Sequence, residues 1–163
     1  MVDLILWRHA EAEDASVTGR DADRALTKRG RKDAAKMAKW LKEYLPAETV
    51  VLSSLARRCQ ETAAALREIS NIDIKTAEFL SVDSTVERIA RELAFIAGAK
   101  TILVVGHQPN LGLLIANILG MKESACVVKK GAVWWLRQRQ VGVGKQTALQ
   151  TYLFTVQHPD YLL

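Results

Sequence analysis

Short apolar runs alternate with amphipathic segments along this 163-residue chain, and that alternation restricts its fold more than any other feature. The runs Val2–Trp7, Thr49–Ser53 and Thr101–Gly106 have the length and apolar character of buried β-strands. Between them, residues 27–44 and 56–69 carry apolar side chains at helical spacing. This alternation predicts an α/β fold, a three-layer sandwich with a mostly parallel central sheet and helices on both faces.

Cap and turn signals predict the remaining elements. Thr27 is suited to cap the first helix, and Pro46 ends that helix. We also expect a brief strand at 72–76, a third helix from Ser84 or Thr85 to about Ile96, a fourth helix at Leu111–Leu119 and a C-terminal β-hairpin with strands at 132–138 and 146–156. The chain length favours a single domain that spans residues 1–163.

Composition argues against several classes of protein. The chain has 49% apolar residues, but no apolar run is long enough to cross a bilayer. It opens on a strand pattern without a basic leader, so we expect a cytoplasmic protein. The net charge of +5 lies largely on one helix face that begins at Lys28, and aromatic residues are few, so a nucleic-acid-binding module is disfavoured. Cys59 and Cys126 form no metal-ligand pattern, and we expect structural, reduced thiols.

Basic residues follow three of the predicted strands. Arg8 and His9 end the first strand, Arg57 begins the helix after the second, and His107 follows the strand at 101–106. The carboxyl ends of parallel strands meet at one edge of a sheet, where α/β proteins commonly bind their ligands. We therefore expect these side chains to converge, together with the N–H groups of two helix N-termini.

Such a cluster suits phosphoryl transfer. The transferred group carries negative charge on several oxygens, which cations and oriented donors stabilise. Arg8 and Arg57 can each offer a planar fork of N–H donors. A neutral His9 can attack phosphorus and carry the phosphoryl group, while His107 hydrogen-bonds the transferring oxygens. This chemistry leads us to expect no metal and no organic cofactor.

Four segments in order along the chain resemble signatures of the histidine phosphatase (phosphoglycerate-mutase-like) superfamily. Arg8-His9-Ala10 is similar to its Arg-His-Gly signature, residues 53–62 to its Ser-Pro-x-x-Arg-Ala-x-Gln-Thr segment, and residues 106–109 to its Gly-His-x-Pro segment. Residues 23–30 resemble the Asp-x-x-Arg-Pro-Leu-Thr-x-x-Gly loop of the short SixA branch, which contains protein phosphohistidine phosphatases. The resemblance runs from the first strand to about Gly131.

The resemblance implies roles for the matched residues. His9 is the expected phosphoryl acceptor, and Arg8, Arg57 and His107 complete the phosphate pocket. Arg24 either reaches the substrate phosphate or is an ordinary surface-loop arginine.

The chain also departs from the family pattern. Ala10 stands where the family has glycine, so we expect an ordinary backbone conformation there. Ser54 and Arg58 stand where the family has proline and alanine, and Ala25 replaces a proline of the loop. None of these changes removes a chemical group that the mechanism requires.

The proton donor has no clear motif. Related mutases and phosphomonoesterases protonate an alkoxide leaving group with a carboxylic acid, and Glu78 is the candidate here, with Glu11 and Asp83 as others. A phosphohistidine substrate needs less help, because imidazole leaves more readily than an alkoxide. A short chain also leaves little room for a helical lid, so the site is expected to be open to a protein.

We therefore predict an enzyme that hydrolyses phosphohistidine on another protein through a covalent phosphohistidine intermediate. The expected partner is a phosphorylated protein, either a histidine-containing phosphotransfer domain or a phosphotransferase carrier, with no nucleic acid and no membrane involved. One alternative is a small-molecule phosphomonoesterase of the same superfamily. Another is a basic nucleic-acid-binding module without catalysis. The oligomeric state is left open.

Overall fold

Six strands form one sheet within residues 2–94, 96, 98–122 and 126–163, which are the residues that this computed structural model describes. The strands are β1 (Val2–Arg8), β2 (Thr49–Ser53), β3 (Ile74–Thr76), β4 (Thr101–Gly106), β5 (Val133–Val141) and β6 (Ala148–Gln157). The helices are α1 (Lys28–Tyr44), α2 (Arg57–Ser70), α3 (Val86–Ala94) and α4 (Asn110–Ile118). Short 3₁₀ turns lie at Asp21–Asp23, Glu78–Leu80 and Pro159–Tyr161.

The sheet order is β3-β2-β4-β1-β5-β6. Strands β1, β2, β3 and β4 pair in parallel, whereas β5 pairs antiparallel with β1 and β6 antiparallel with β5. The expected α/β fold with a mostly parallel sheet and a C-terminal hairpin is therefore confirmed. Arg8 lies opposite Gly106 and Ser53 opposite Val105, so three parallel strands end level at one edge.

Apolar side chains cover both faces of the sheet. On one face α1 and α2 contribute Met37 and Leu66 to a buried cluster that includes Trp7 of β1. On the other face α3 and α4 contribute Ile89 and Ile115 to a second buried cluster, which includes Leu6 of β1. Because successive residues of β1 point to opposite faces, the sheet is the middle layer and the ends of its strands are left for loops.

Element ends differ from the sequence expectation by a few residues. β3 begins at Ile74 rather than at residue 72, because Asn71 adopts a left-handed conformation (φ 55°) that closes α2 and redirects the chain. α3 ends at Ala94 rather than near Ile96, whose N–H bonds the carbonyl of Leu93 in a tighter turn. No helix in the described part of the chain is long and apolar enough to cross a membrane.

Candidate active site

The ends of β1 and β4 bring two histidines together. The N–H of His9 donates to the carbonyl of Gly106 at 3.1 Å, which ties the two strand ends. The ring centroids of His9 and His107 lie 5.4 Å apart, and the rings meet at 61°. His9 is only 7% exposed and His107 only 2%. The convergence of these two histidines therefore follows from strand register rather than from a flexible loop.

Backbone geometry determines which nitrogen of His9 can react. Nδ1 of His9 lies 2.8 Å from the carbonyl oxygen of Ala10. A carbonyl oxygen can only accept a hydrogen bond, so Nδ1 carries the proton and Nε2 keeps its lone pair. Burial lowers the pKa of His9 to about 3, so the ring is neutral at physiological pH. A neutral imidazole with a free Nε2 lone pair is suited to nucleophilic attack.

Ala10 is a buried residue with an ordinary backbone, as expected. Its φ is not positive, so the conformation needs no glycine. Its N–H donates to the hydroxyl of Thr62 at 3.1 Å, and that hydroxyl donates to the carbonyl of Arg58 at 2.7 Å. These two bonds hold the segment that follows β1 against the first turns of α2.

His107 is held from two sides. Nη2 of Arg58 lies 3.4 Å from Nδ1 of His107, and Oγ of Ser54 lies 2.8 Å from Nε2. A guanidinium group can only donate, so Nδ1 accepts, and Nε2–H donates to the Ser54 hydroxyl. Burial, and then the positive charge of Arg58, lower the pKa of His107 to about 4. The Cys59 thiol packs 3.6 Å from Nε2, and burial raises its pKa to about 12, so it stays protonated.

The structure corrects the expected placement of Arg57. It does not bring Arg57 to the histidines: the side chain is 57% exposed and its Nε lies 3.4 Å from Glu61. Arg58 takes the expected place, since it is 2% exposed and contacts His107. The reason is helical phase, because consecutive residues of a helix are about 100° apart around its axis. Arg57 therefore points outward where Arg58 points inward.

Arg58 is fixed by the loop between β1 and α1. Its Nη1 donates to the backbone carbonyl of Asp21 at 2.9 Å, and its Nη2 lies 3.0 Å from Oδ2 of the same residue. The other carboxylate oxygen of Asp21 accepts from Nε of Arg24 at 2.9 Å. Burial opposes ionisation of Asp21, but the hydrogen bonds from Arg24 and Arg58 outweigh it and lower the pKa of this carboxyl. Arg24 thus braces Asp21, and its Nη1 is bound to the carbonyl of Glu13.

Two guanidinium groups keep donors unused in this cluster. Nη1 of Arg8 donates to the carbonyl of Val128 at 2.9 Å. The Nε atoms of Arg8 and Arg58 are buried and have no hydrogen-bond partner among the described residues. Buried N–H groups without partners are costly unless a ligand satisfies them. These cationic donors beside two neutral imidazoles form an arrangement that can bind a phosphoryl group.

The three carboxylates considered as proton donors have different surroundings. Glu78 opens the 3₁₀ turn after β3 and is exposed, and its side chain forms no hydrogen bond or ion pair with the described residues. Glu11 accepts from the Thr27 hydroxyl at 2.8 Å and lies with Arg8 along a neighbouring groove. Asp83 and Arg57 lie along another pocket, of about 320 Å³. Neither histidine forms a hydrogen bond or ion pair with any of the three carboxylates within the described residues.

Sequence reasoning missed Ser54, Arg58 and Asp21 as members of the cluster. A signal for Arg58 was present, because it precedes Thr62 by four residues and so shares the inner face of α2. Ser54 and Asp21 lacked such a signal, since Ser54 directly follows β2 and Asp21 lies in a short 3₁₀ turn, where no sequence period indicates the direction of a side chain.

Comparisons with known proteins show what this sequence and this fold are similar to. The family model of the histidine phosphatase superfamily (branch 1) matches residues 4–81. A phosphohistidine phosphatase SixA homolog of Haemophilus influenzae is 26% identical over 137 residues, which cover 75% of this chain and 80% of the relative.

Solved structures share the fold over nearly the whole chain. The protein histidine phosphatase SixA complexed with tungstate superposes with a TM-score of 0.82 at 21% identity and covers 98% of both chains. A mycobacterial glucosyl-3-phosphoglycerate phosphatase superposes with a TM-score of 0.64 at 18% identity, over 83% of this chain and 89% of the other. The family model and the curated relative thus agree that this chain is similar to the histidine phosphatase superfamily, and the SixA relatives support similarity to the SixA-type branch within it.

Proposed function

We propose that this phosphatase hydrolyses phosphohistidine on another protein through a phosphoryl intermediate on His9. One observation carries the proposal: His9 has its Nδ1 bound to the Ala10 carbonyl and its Nε2 lone pair free, beside two arginines with unused buried N–H groups. The catalytic set is then His9, Arg8, Arg58 and His107. Arg58 replaces Arg57 in that set, and Arg24 acts through Asp21.

The first step transfers the phosphoryl group to the enzyme. The lone pair of His9 Nε2 attacks phosphorus, and the P–N bond to the substrate imidazole breaks. The substrate ring carries a proton on its other nitrogen, so the electron pair of that bond stays on a leaving group that departs as neutral imidazole. Arg8 and Arg58 stabilise the charge on the equatorial oxygens, as preorganised donors do in phosphoryl transfer.

The second step returns the enzyme to its starting state. A water molecule attacks phosphorus, the bond from phosphorus to Nε2 breaks, and its electron pair returns to His9. Inorganic phosphate is released, and the proton of the attacking water passes to solvent. The Nδ1–H bond to the Ala10 carbonyl persists throughout, so His9 remains oriented for the next cycle.

The surroundings of the carboxylates favour a P–N bond as the substrate. A phosphohistidine ring that is protonated on its other nitrogen leaves as neutral imidazole, whose cation has an ordinary pKa of about 6.5, so departure near neutral pH needs no positioned acid. An alkoxide leaving group needs a positioned acid. Glu78, the sequence-based candidate, is exposed and forms no hydrogen bond with His9 or His107.

A small-molecule phosphomonoesterase is the second candidate. The observation in its favour is that the Glu11 carboxylate lies along the same groove as Arg8. If a phosphate ester binds at Arg8, the Glu11 side chain lies on that side of the site. Glu11 would then act as the acid that protonates the alkoxide leaving group of the ester.

A substrate comparison separates the two candidates. Turnover is measured on a phosphotransfer domain or carrier protein phosphorylated on histidine, and on a panel of sugar and nucleoside phosphate esters. The proposal predicts a kcat/KM for the phosphohistidine protein well above that for every ester. Faster hydrolysis of an ester, with loss of that activity in Glu11→Gln, would support the phosphomonoesterase instead.

A further inference from the structure

A groove of about 650 Å³ has Arg8 in its wall, so it adjoins the phosphate site. The other walls come from the start of α1, the segment before β5 and the C-terminal 3₁₀ turn. The groove is more than twice the volume of the apolar pocket of about 240 Å³ that lies between α3, α4 and the sheet. A substrate carried on a protein needs contact area of this kind beside the reactive group.

The segment before β5 is fixed against the reactive residues. The carbonyl of Val128 accepts from Arg8, and the N–H of Gly131 donates to the carbonyl of His9 at 3.1 Å. The carbonyl of Gly131 also accepts from the indole N–H of Trp7 at 3.1 Å. Lys129 and Lys130 lie between these two bonded positions, so their backbone is held at a constant place relative to His9.

The two lysines give the groove a net positive charge, because its lining has four cationic side chains and three carboxylates, namely Arg8, Arg29, Lys129 and Lys130 against Glu11, Asp33 and Asp160. Arg29, which also lines the groove, lies 3.9 Å from Asp33 and 3.7 Å from Asp160. Lys129 and Lys130 are exposed and form no ion pair within the described part of the chain. An acidic partner surface would therefore meet free ammonium groups at this point.

Apolar side chains accompany the lysines. Tyr161 is 81% exposed and Val127 is 63% exposed, and both line the groove. Tyr161 also packs edge-on against His158, with ring centroids 6.1 Å apart. An exposed aromatic ring supported by a neighbour and flanked by charged residues is typical of a protein contact surface.

We infer that this groove docks the acidic face of the protein that carries the phosphohistidine. The inference rests on the proposed function, and it adds the surface that distinguishes a protein substrate from a small one. Lys129 and Lys130 attract the carboxylates of the partner, and Tyr161 contacts its apolar surface. The fixed segment before β5 then presents the phosphohistidine to Arg8 and His9.

The test uses two charge-reversal variants of equal net charge. The groove variant is Lys129→Glu with Lys130→Glu. The control is Lys39→Glu with Lys42→Glu, on exposed positions of α1 that begin about 15 Å along the helix from Arg29. Each is assayed on a histidine-phosphorylated phosphotransfer domain and on phosphoramidate, which is too small to span the groove.

The groove variant is expected to raise KM for the phosphorylated domain by about tenfold, the lower end of electrostatic steering effects. Its kcat on that domain and its kinetics on phosphoramidate should match those of the control. Added salt should raise KM of the wild type and of the control but not of the groove variant. Tyr161→Ala should raise KM for the domain without this change in salt response.

An unchanged KM for the domain in the groove variant would overturn the docking surface alone, provided that the wild type hydrolyses the domain. Equal losses of kcat/KM on the domain and on phosphoramidate would also overturn it, since they would show that the lysines act on the phosphate site and not on docking of the protein. A wild type that hydrolyses phosphoramidate but not the phosphorylated domain would overturn the docking surface and the proposed protein substrate together.

Discussion

At the level of single residues, the chemistry depends on which side chains of α2 face the histidines. Arg58 lies between Asp21 and His107 with its Nε unused, whereas the exposed Arg57 pairs with the half-buried Glu61. A buried cation that is held by one carboxylate and still keeps a free donor is ready to bind an anion. The two adjacent arginines therefore allow a direct comparison within one helix turn.

Arg58→Ala should lower kcat/KM by about 10²- to 10³-fold, the usual effect of removing one preorganised donor of transition-state charge. Arg57→Ala should change it less than about threefold, because an exposed ion pair contributes at most about 1 kcal/mol. Steady-state kinetics on a phosphohistidine protein measure both values. Thermal unfolding of both variants establishes that each is folded at the assay temperature. A larger loss in Arg57→Ala would contradict the assigned helical phase.

At the level of elements, the strand and helix pattern predicted the positions of His9 and His107 but not the loop that completes the site. Hydrophobic periodicity placed β1 and β4, and their parallel pairing then aligned Arg8 with Gly106. The loop between β1 and α1 has a polar, irregular sequence without a period. Its order comes from tertiary contacts such as those of Asp21 with Arg58, which local sequence patterns do not encode.

The junction of that loop with α1 is closely packed. The Thr27 hydroxyl accepts from the N–H of Gly30 at 2.9 Å, as the expected cap does, and donates to Glu11. A Cβ placed on Gly30 would overlap the carbonyl group of Glu11. Since the helix backbone fixes the position of the Cβ and the carbonyl belongs to the loop backbone, neither can move without shifting the loop or the helix.

Gly30→Ala should lower the free energy of unfolding by about 2 kcal/mol, which is typical of overpacking in a well-packed site. Helix propensity alone predicts the opposite sign, a gain of about 1 kcal/mol for alanine over glycine. Urea denaturation measures the change, with Lys32→Ala on the exposed side of the same turn as the matched control. A stabilised Gly30→Ala protein would show that the loop does not pack against α1 in this way.

At the level of the whole molecule, two buried neutral histidines link stability to pH. The pKa values of His9 and His107, about 3 and about 4, lie below the ordinary value of 6.5. Between these values the unfolded chain binds more protons than the folded one, so the free energy of unfolding falls as pH falls. The loss of stability begins near pH 6.5 and continues toward pH 4. Above pH 5 the histidines dominate this loss, because most carboxylates titrate only at lower pH.

Acidification from pH 7 to pH 5 should lower the free energy of unfolding by about 2 to 4 kcal/mol, because each group contributes at most about 1.4 kcal/mol per pH unit. His107→Gln should remove about half of that dependence, since one of the two titrating groups is gone. Urea denaturation at a series of pH values measures both slopes. Equal stability at pH 7 and pH 5 in the wild type would mean that the histidines are not buried as neutral rings.

The core that positions the histidines was more predictable than the exact membership of the candidate site. Apolar strands that alternate with amphipathic helices predicted a mostly parallel sheet covered on two faces, and parallel pairing brings the ends of β1, β2 and β4 to one edge. The membership of the candidate site depends instead on which of two consecutive residues of α2 faces the histidines, as with Arg57 and Arg58. The family resemblance led to Arg57, whereas the contacts of α2 with the histidines point to Arg58.

The most direct test of the central claim is to trap the phosphoryl group on the enzyme. The protein is mixed with a protein substrate that carries ³²P on histidine, quenched in base within the first turnover, and digested for mapping. We predict base-stable, acid-labile label on His9, attached at Nε2, and neither label nor turnover in His9→Ala. Label on another residue, or full turnover by His9→Ala, would contradict the mechanism.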